Sequence, residues 1–182
     1  MDSLPDQQSI RIEAAQESIA RLNLLKPDAA PAIVSLLENS ERVHPRAACA
    51  AYRKGGEQIT DAEKSVLKIR KNTFMSKKAL SEISDKGAED PTRAHETTLL
   101  RASFVMFRYR NALSISKMME DHPQYPVQIQ YDIFHPDACE TCKALNEKSV
   151  PANWGLFAPC KCVCVTAPYG LRSVVDWFAG VT

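Results

Sequence analysis

The sequence predicts an α+β chain, a mainly α-helical bundle followed by a small zinc-stabilised β-hairpin module. Three observations carry that expectation. Through residues 1–121 apolar side chains recur at three- and four-residue spacing, the period of an amphipathic helix. After residue 122 the pattern becomes an alternation in Val127-Gln128-Ile129-Gln130-Tyr131-Asp132-Ile133, which suits a half-buried strand. Five of the six cysteines then fall between Cys139 and Cys164, spaced like the ligands of a structural metal site. The expected division is therefore a helical region over 1–121 and a β module over 122–182.

Taken in order, Ser9 caps a first helix whose Ile12, Ala15, Ile19 and Leu22 form one stripe, and Lys26-Pro27 ends it. Pro31 opens a second helix carrying Ile33, Val34, Leu36 and Leu37, with Asn39-Ser40 as its stop. The alanine-rich stretch from Pro45 to Tyr52 allows close packing, places Cys49 in the core, and stops at Gly55-Gly56. Thr60-Asp61-Ala62-Glu63 is a capping box. It is expected to launch a helix to about Lys86, with Val66, Ile69, Thr73, Leu80 and Ile83 inside and Lys64, Lys68, Lys71 and Lys78 among a basic outer face. Such a face is ordinarily solvated, and it is also where a nucleic acid or an acidic partner would bind.

Asp90-Pro91 starts the longest predicted helix, which reaches about Asp121. Leu99, Ala102, Met106, Tyr109 and Leu113 share its seam, while Phe104, Phe107, Ile115 and Met118 widen the apolar surface. That width suits a central position or a subunit contact, so a homo-oligomer is open. His122-Pro123 closes the helix, a strand follows, and His135-Pro136 breaks it before Cys139-Glu140-Thr141-Cys142. Lys161 to Thr166 is expected as a second, antiparallel strand. Leu171, Val174, Val175, Trp177 and Phe178 form an apolar terminal segment, helix or strand.

Two thiolates separated by two residues can turn onto one ion, and a second pair completes a tetrahedron. Cys139, Cys142, Cys160 and Cys162 are the expected ligands, because Pro159 places Cys160 and Cys162 where a strand begins. Cys164 would be carried about 7 Å further along an extended strand. A disulfide, a thioredoxin-like redox pair and plain burial are the competing readings. Met1 to Gln8 is acidic and lacks the apolar core of a signal peptide, and no βαβ unit surrounds the Cys-x-x-Cys pair. Four cysteine ligands leave the ion no open position, so the expected Zn²⁺ is structural. No phosphate loop, Gly-x-Ser-x-Gly or His-Glu-x-x-His occurs, and the four histidines are scattered. The expectation is that the chain is not an enzyme.

The run Asp137 to Pro151, with Pro159-Cys160-Lys161-Cys162, resembles the C-terminal segment of phage Mu F-like minor head (head morphogenesis) proteins. Those read Cys-x-x-Cys-x-x-Leu-x-Gly-Lys and later Cys-Arg-Cys. Glu147 stands where the family usually has glycine, and Phe157 where a histidine often precedes the last cysteines. If that histidine is a ligand in the family, Cys164 or His135 could substitute here. The resemblance implies virion assembly, with capsid or portal subunits as partners and the host cytoplasm or the virion as location. Trp154 and Phe157 would then cover the metal or fill a groove on the partner. The second function class is a small zinc protein that binds nucleic acid through Lys64, Lys68, Lys71 and Lys78. Lys+Arg at 23 against Asp+Glu at 22 gives a net charge of +1, which argues against a wholly basic surface but leaves local patches. No apolar run is long enough for a membrane span.

Overall fold

The computed structural model describes residues 6–40, 42–124, 126–151 and 162–175. Their order is α1 (Gln7–Leu22), α2 (Ala30–Ser40), α3 (Pro45–Lys54), α4 (Asp61–Val66), α5 (Lys77–Ser81), α6 (Ala94–Asp121), β1 (Val127–Ile133), α7 (Glu140–Lys143), β2 (Ser149–Pro151) and β3 (Tyr169–Val175). The chain is α+β. Its residues form two compact units that divide at Ser103/Phe104. This division lies inside α6, because Phe104 and Ile115 belong to the same buried cluster as the strand residues Ile129 and Tyr131, while the change from helix to strand falls after Asp121.

In the N-terminal unit, Asp6 caps α1 by accepting the amide protons of Gln8 and Ser9 at 2.8 and 3.0 Å. Ile10, Ala14, Ala15 and Ile19 of α1 are buried, as are Ile33, Leu36 and Leu37 of α2. His44 caps α3, its Nδ1 accepting the Arg46 amide, with Pro45 at the first helical position. The segments around Leu25 and Ile83 are joined by backbone bonds, Lys26 N–H to the Glu82 carbonyl at 2.8 Å and Ser84 N–H to the Leu24 carbonyl at 3.2 Å. Gly87 lies against this join, where a Cβ would overlap the Leu24 carbonyl oxygen. Under α3, the Glu82 carboxylate accepts from the Tyr52 hydroxyl at 2.7 Å and contacts buried His95 Nε2 at 2.9 Å.

The helix expected from Thr60 to about Lys86 does not form as one piece. Its start is as predicted: Thr60 and Glu63 close the capping box. Six residues later it stops, because Lys68 takes a left-handed conformation, φ 56°. The Lys68 amide then donates to the Ser65 carbonyl and the Ile69 amide to the Lys64 carbonyl at 2.8 Å, the Schellman pattern of a helix end. The chain restarts at α5, where the Ser76 hydroxyl accepts the Ala79 amide. The start of α6 is also later than Asp90-Pro91, which instead form a turn closed by Arg93 N–H to the Asp90 carbonyl.

In the C-terminal unit the sheet order is β2-β1-β3, both pairings antiparallel. β1 is the strand the alternation predicts, with Ile129 and Tyr131 buried. Its long partner is β3, register Val127 to Val175 through Ile133 to Tyr169, and not the 161–166 segment. The described residues 162–168 form no strand; carrying cysteine ligands inward and pairing in a ladder place different demands on one short backbone. Tyr169 packs edge-on against Phe104 and Tyr131 at 5.6 and 5.0 Å between ring centres. Cys142 and Cys162 complete the same buried cluster. Among the described residues no helix is long and apolar enough to cross a membrane.

Candidate metal centre

Local backbone chemistry sets the cysteines' positions. After the His135-Pro136 break, the Asp137 amide donates to His135 Nδ1 at 3.1 Å and the Ala138 amide to the His135 carbonyl. This turn delivers Cys139 to the position before α7. The amides of Cys142 and Lys143 both donate to the Cys139 carbonyl at 2.9 Å, so one helical turn brings the Cys142 side chain round beside that of Cys139. The other two ligands arrive on the irregular segment at Cys162 and Cys164.

Cys139, Cys142, Cys162 and Cys164 place their sulfur atoms all within 4.8 Å of one another. Cys142 Sγ lies 3.4 Å from Cys162 Sγ and 4.0 Å from Cys164 Sγ. Thiolates about 2.3 Å from a tetrahedral ion stand about 3.8 Å apart, so these separations suit a single ion. All four cysteines are free of disulfides. Cys142 and Cys162 are fully buried, while Cys139 and Cys164 are partly exposed.

Burial and hydrogen bonds act on the individual sulfurs in different senses. The Cys139 amide donates to Cys164 Sγ at 3.3 Å. At Cys139 burial pushes the thiol up, but the Val163 and Cys142 amides and the Cys164 and Cys142 thiols donate to its sulfur, and the net is a lowered pKa. Cys142 is raised, by its hydrogen bond with the Cys162 thiol and then by burial. Cys164 is pushed up to about 11, chiefly by burial. Four adjacent sulfurs cannot all be ionised unless a cation compensates them; a bound metal displaces their protons and takes over that role. The set could therefore hold a metal ion.

Of the expected ligands, Cys139, Cys142 and Cys162 are in the cluster, and Cys160 lies outside the described residues. Cys164, expected only as a substitute, is the fourth member. The signal for it was the Cys162-Val163-Cys164 alternation itself, which turns both sulfurs to one side even without a strand. His135 is not in the cluster: it is exposed, and it borders a cleft with Cys139 and Cys164. Trp154 and Phe157 also lie outside the described residues.

The four lysines do not share a helix face. Lys64 is buried and its Nζ donates to the Lys71 carbonyl at 2.9 Å. Lys68 stands past the end of α4, Lys71 is in the following turn, and Lys78, on α5, places its Nζ 5.8 Å from the Tyr52 ring centre. The helix break at Lys68 is what separates them. Compared with known protein families, curated proteins and solved structures, the chain matches none.

Proposed function

We propose that this chain is a non-enzymatic assembly protein of the phage minor head type, whose C-terminal unit is organised by one structural Zn²⁺ on Cys139, Cys142, Cys162 and Cys164. The observation that carries the metal reading is the convergence of two cysteine pairs to within 4.8 Å. Zinc suits four thiolates, having no redox chemistry and no competing geometric preference. With four protein sulfurs around it the ion has no position for water or substrate, so its contribution is to folding. Two of the ligands are themselves core residues beside Tyr131 and Tyr169, so metal and sheet support one another. The assembly role rests on the resemblance of Asp137 to Pro151, with Pro159-Cys160-Lys161-Cys162, to the minor head segment.

Metal analysis with thiol titration tests the first half: about one zinc per chain, and four thiols protected until a chelator is added. Retention of the zinc-loaded chain by capsid or portal protein from the same genome, lost in Cys139→Ser, tests the second. A chain that holds no zinc overturns the site. A zinc-loaded chain that ignores capsid and portal but binds random DNA with steep salt dependence overturns the assembly role in favour of nucleic-acid binding.

A further inference from the structure

The N-terminal unit contains a second chemical feature, independent of the cysteines. Arg46 and Arg53 from α3, Lys68 and Arg70 from the turn after α4, and Arg93 just before α6 converge on one cleft of about 620 Å³, with Glu96 the sole carboxylate in its lining. Five cations and one anion leave a formal charge of +4. Arg53 is decisive. It is only 9 % exposed, and its Nε and Nη1 are buried without a hydrogen-bond partner. Glu96 lines the same cleft and does not satisfy those two donors.

A buried guanidinium is costly unless an acceptor meets it. Holding four further cations around the same space adds repulsion, and among the described residues no ion pair forms with Arg46, Lys68, Arg70 or Arg93. Such an arrangement is stable when an anion occupies the cleft. We infer that this cleft binds a small oligophosphate, a molecule carrying two or more linked phosphoryl groups.

Three features of the lining select that class. Arginine dominates, and its planar fork matches phosphoryl oxygens two at a time. A charge of +4 suits an anion carrying three or four negative charges better than a single carboxylate. The volume falls in the range of about 300–1,000 Å³ typical of small-molecule sites. The lining contains no aromatic side chain, its one large apolar member being Ile69. It therefore offers no platform for stacking bases, the usual companion of phosphate contacts in single-strand binding.

Titrating the full chain with tripolyphosphate by calorimetry tests the inference, with zinc content measured before and after so that chelation is not read as binding. Saturable one-to-one binding is expected. Arg70→Ala and Arg93→Ala alter exposed side chains, and each should weaken it about tenfold, ~1.4 kcal/mol. Arg53→Leu should abolish it and raise the thermal midpoint of the anion-free chain, since an unpartnered buried charge is gone. Lys143→Ala, in the other unit, should change nothing. Absence of binding overturns the inference, as does equal affinity across the arginine variants. So does preferential binding of single-stranded DNA, sensitive to the same arginines, which would make the cleft part of a nucleic-acid surface.

Discussion

Burial pushes the Cys49 thiol up to about 12, against the pull of the Arg53 guanidinium and with a smaller push from the Glu96 carboxylate. The reference value is 9.0, so the folded state holds this proton more tightly than the unfolded one. The resulting stability is complete below pH ~9 and falls as pH rises from there towards 12. Replacing Cys49 by Ala should flatten part of that decline in urea melts taken between pH 8 and 11. The same burial makes Cys49 a poor nucleophile, because only the thiolate reacts. Its chain neighbours, all alanine from Ala47 to Ala51, already announced a packed position. What they could not announce is Arg53, four residues on, buried at a cleft that Ile69 and Arg93 also line from elsewhere in the chain.

At the scale of single elements, some termini were readable from local chemistry and others were not: α1 is capped by Asp6 and not by Ser9, and the Ser76 cap of α5 lay inside an expected longer helix. The Thr60-Glu63 capping box was readable because both partners lie within three residues, and the start of α3 because Pro45 has a φ already set for the first helical position and no N–H to leave unpaired there. The end of α4 was not readable. Apolar spacing continues through Ile69 and Thr73, and no glycine marks the stop; the break consists of a lysine in a left-handed conformation, which L-residues ordinarily avoid by about 1–2 kcal/mol. Lys68→Gly should therefore stabilise the N-terminal unit by about 0.5–1 kcal/mol, measured by chemical denaturation. Because Lys68 also lines the basic cleft, the same variant should weaken tripolyphosphate binding, separating a stability role from a ligand role. Among the strands, β1 was legible from its strict alternation. β3 was read as an apolar terminal segment, helix or strand, since Tyr169-Gly170 reads as a turn and Leu171-Arg172-Ser173-Val174-Val175 lacks strict alternation.

For the whole molecule, the two compact units imply two levels of stability. The zinc proposed for the cysteine centre would contribute on the order of 10 kcal/mol of apparent binding free energy to the unit that holds it. Chelation should therefore abolish amide-exchange protection in β1 and β3 while leaving α1 and α2 protected. Simultaneous loss in both units would show that the helices also depend on the ion. The α+β class and the existence of a cysteine centre were legible because each is a pattern in the sequence itself. Membership of the centre was less so, since choosing among three alternating cysteines depends on the path of a backbone that forms no regular element.

Cys142 and Cys162, neighbours in space, are 20 residues apart in the chain. Closing a loop of that size costs about 2.7 kcal/mol of chain entropy, and doubling it adds only about 0.6. If the proposed metal ties the two cysteines together, the length of the chain between them matters little to the cost of closing that loop. The part of it up to Pro151 is held by β2's pairing with β1, so in this entropic sense only the length of the chain between Pro151 and Cys162 is left open to change, and a new contact could be acquired there without refolding the unit that bears it.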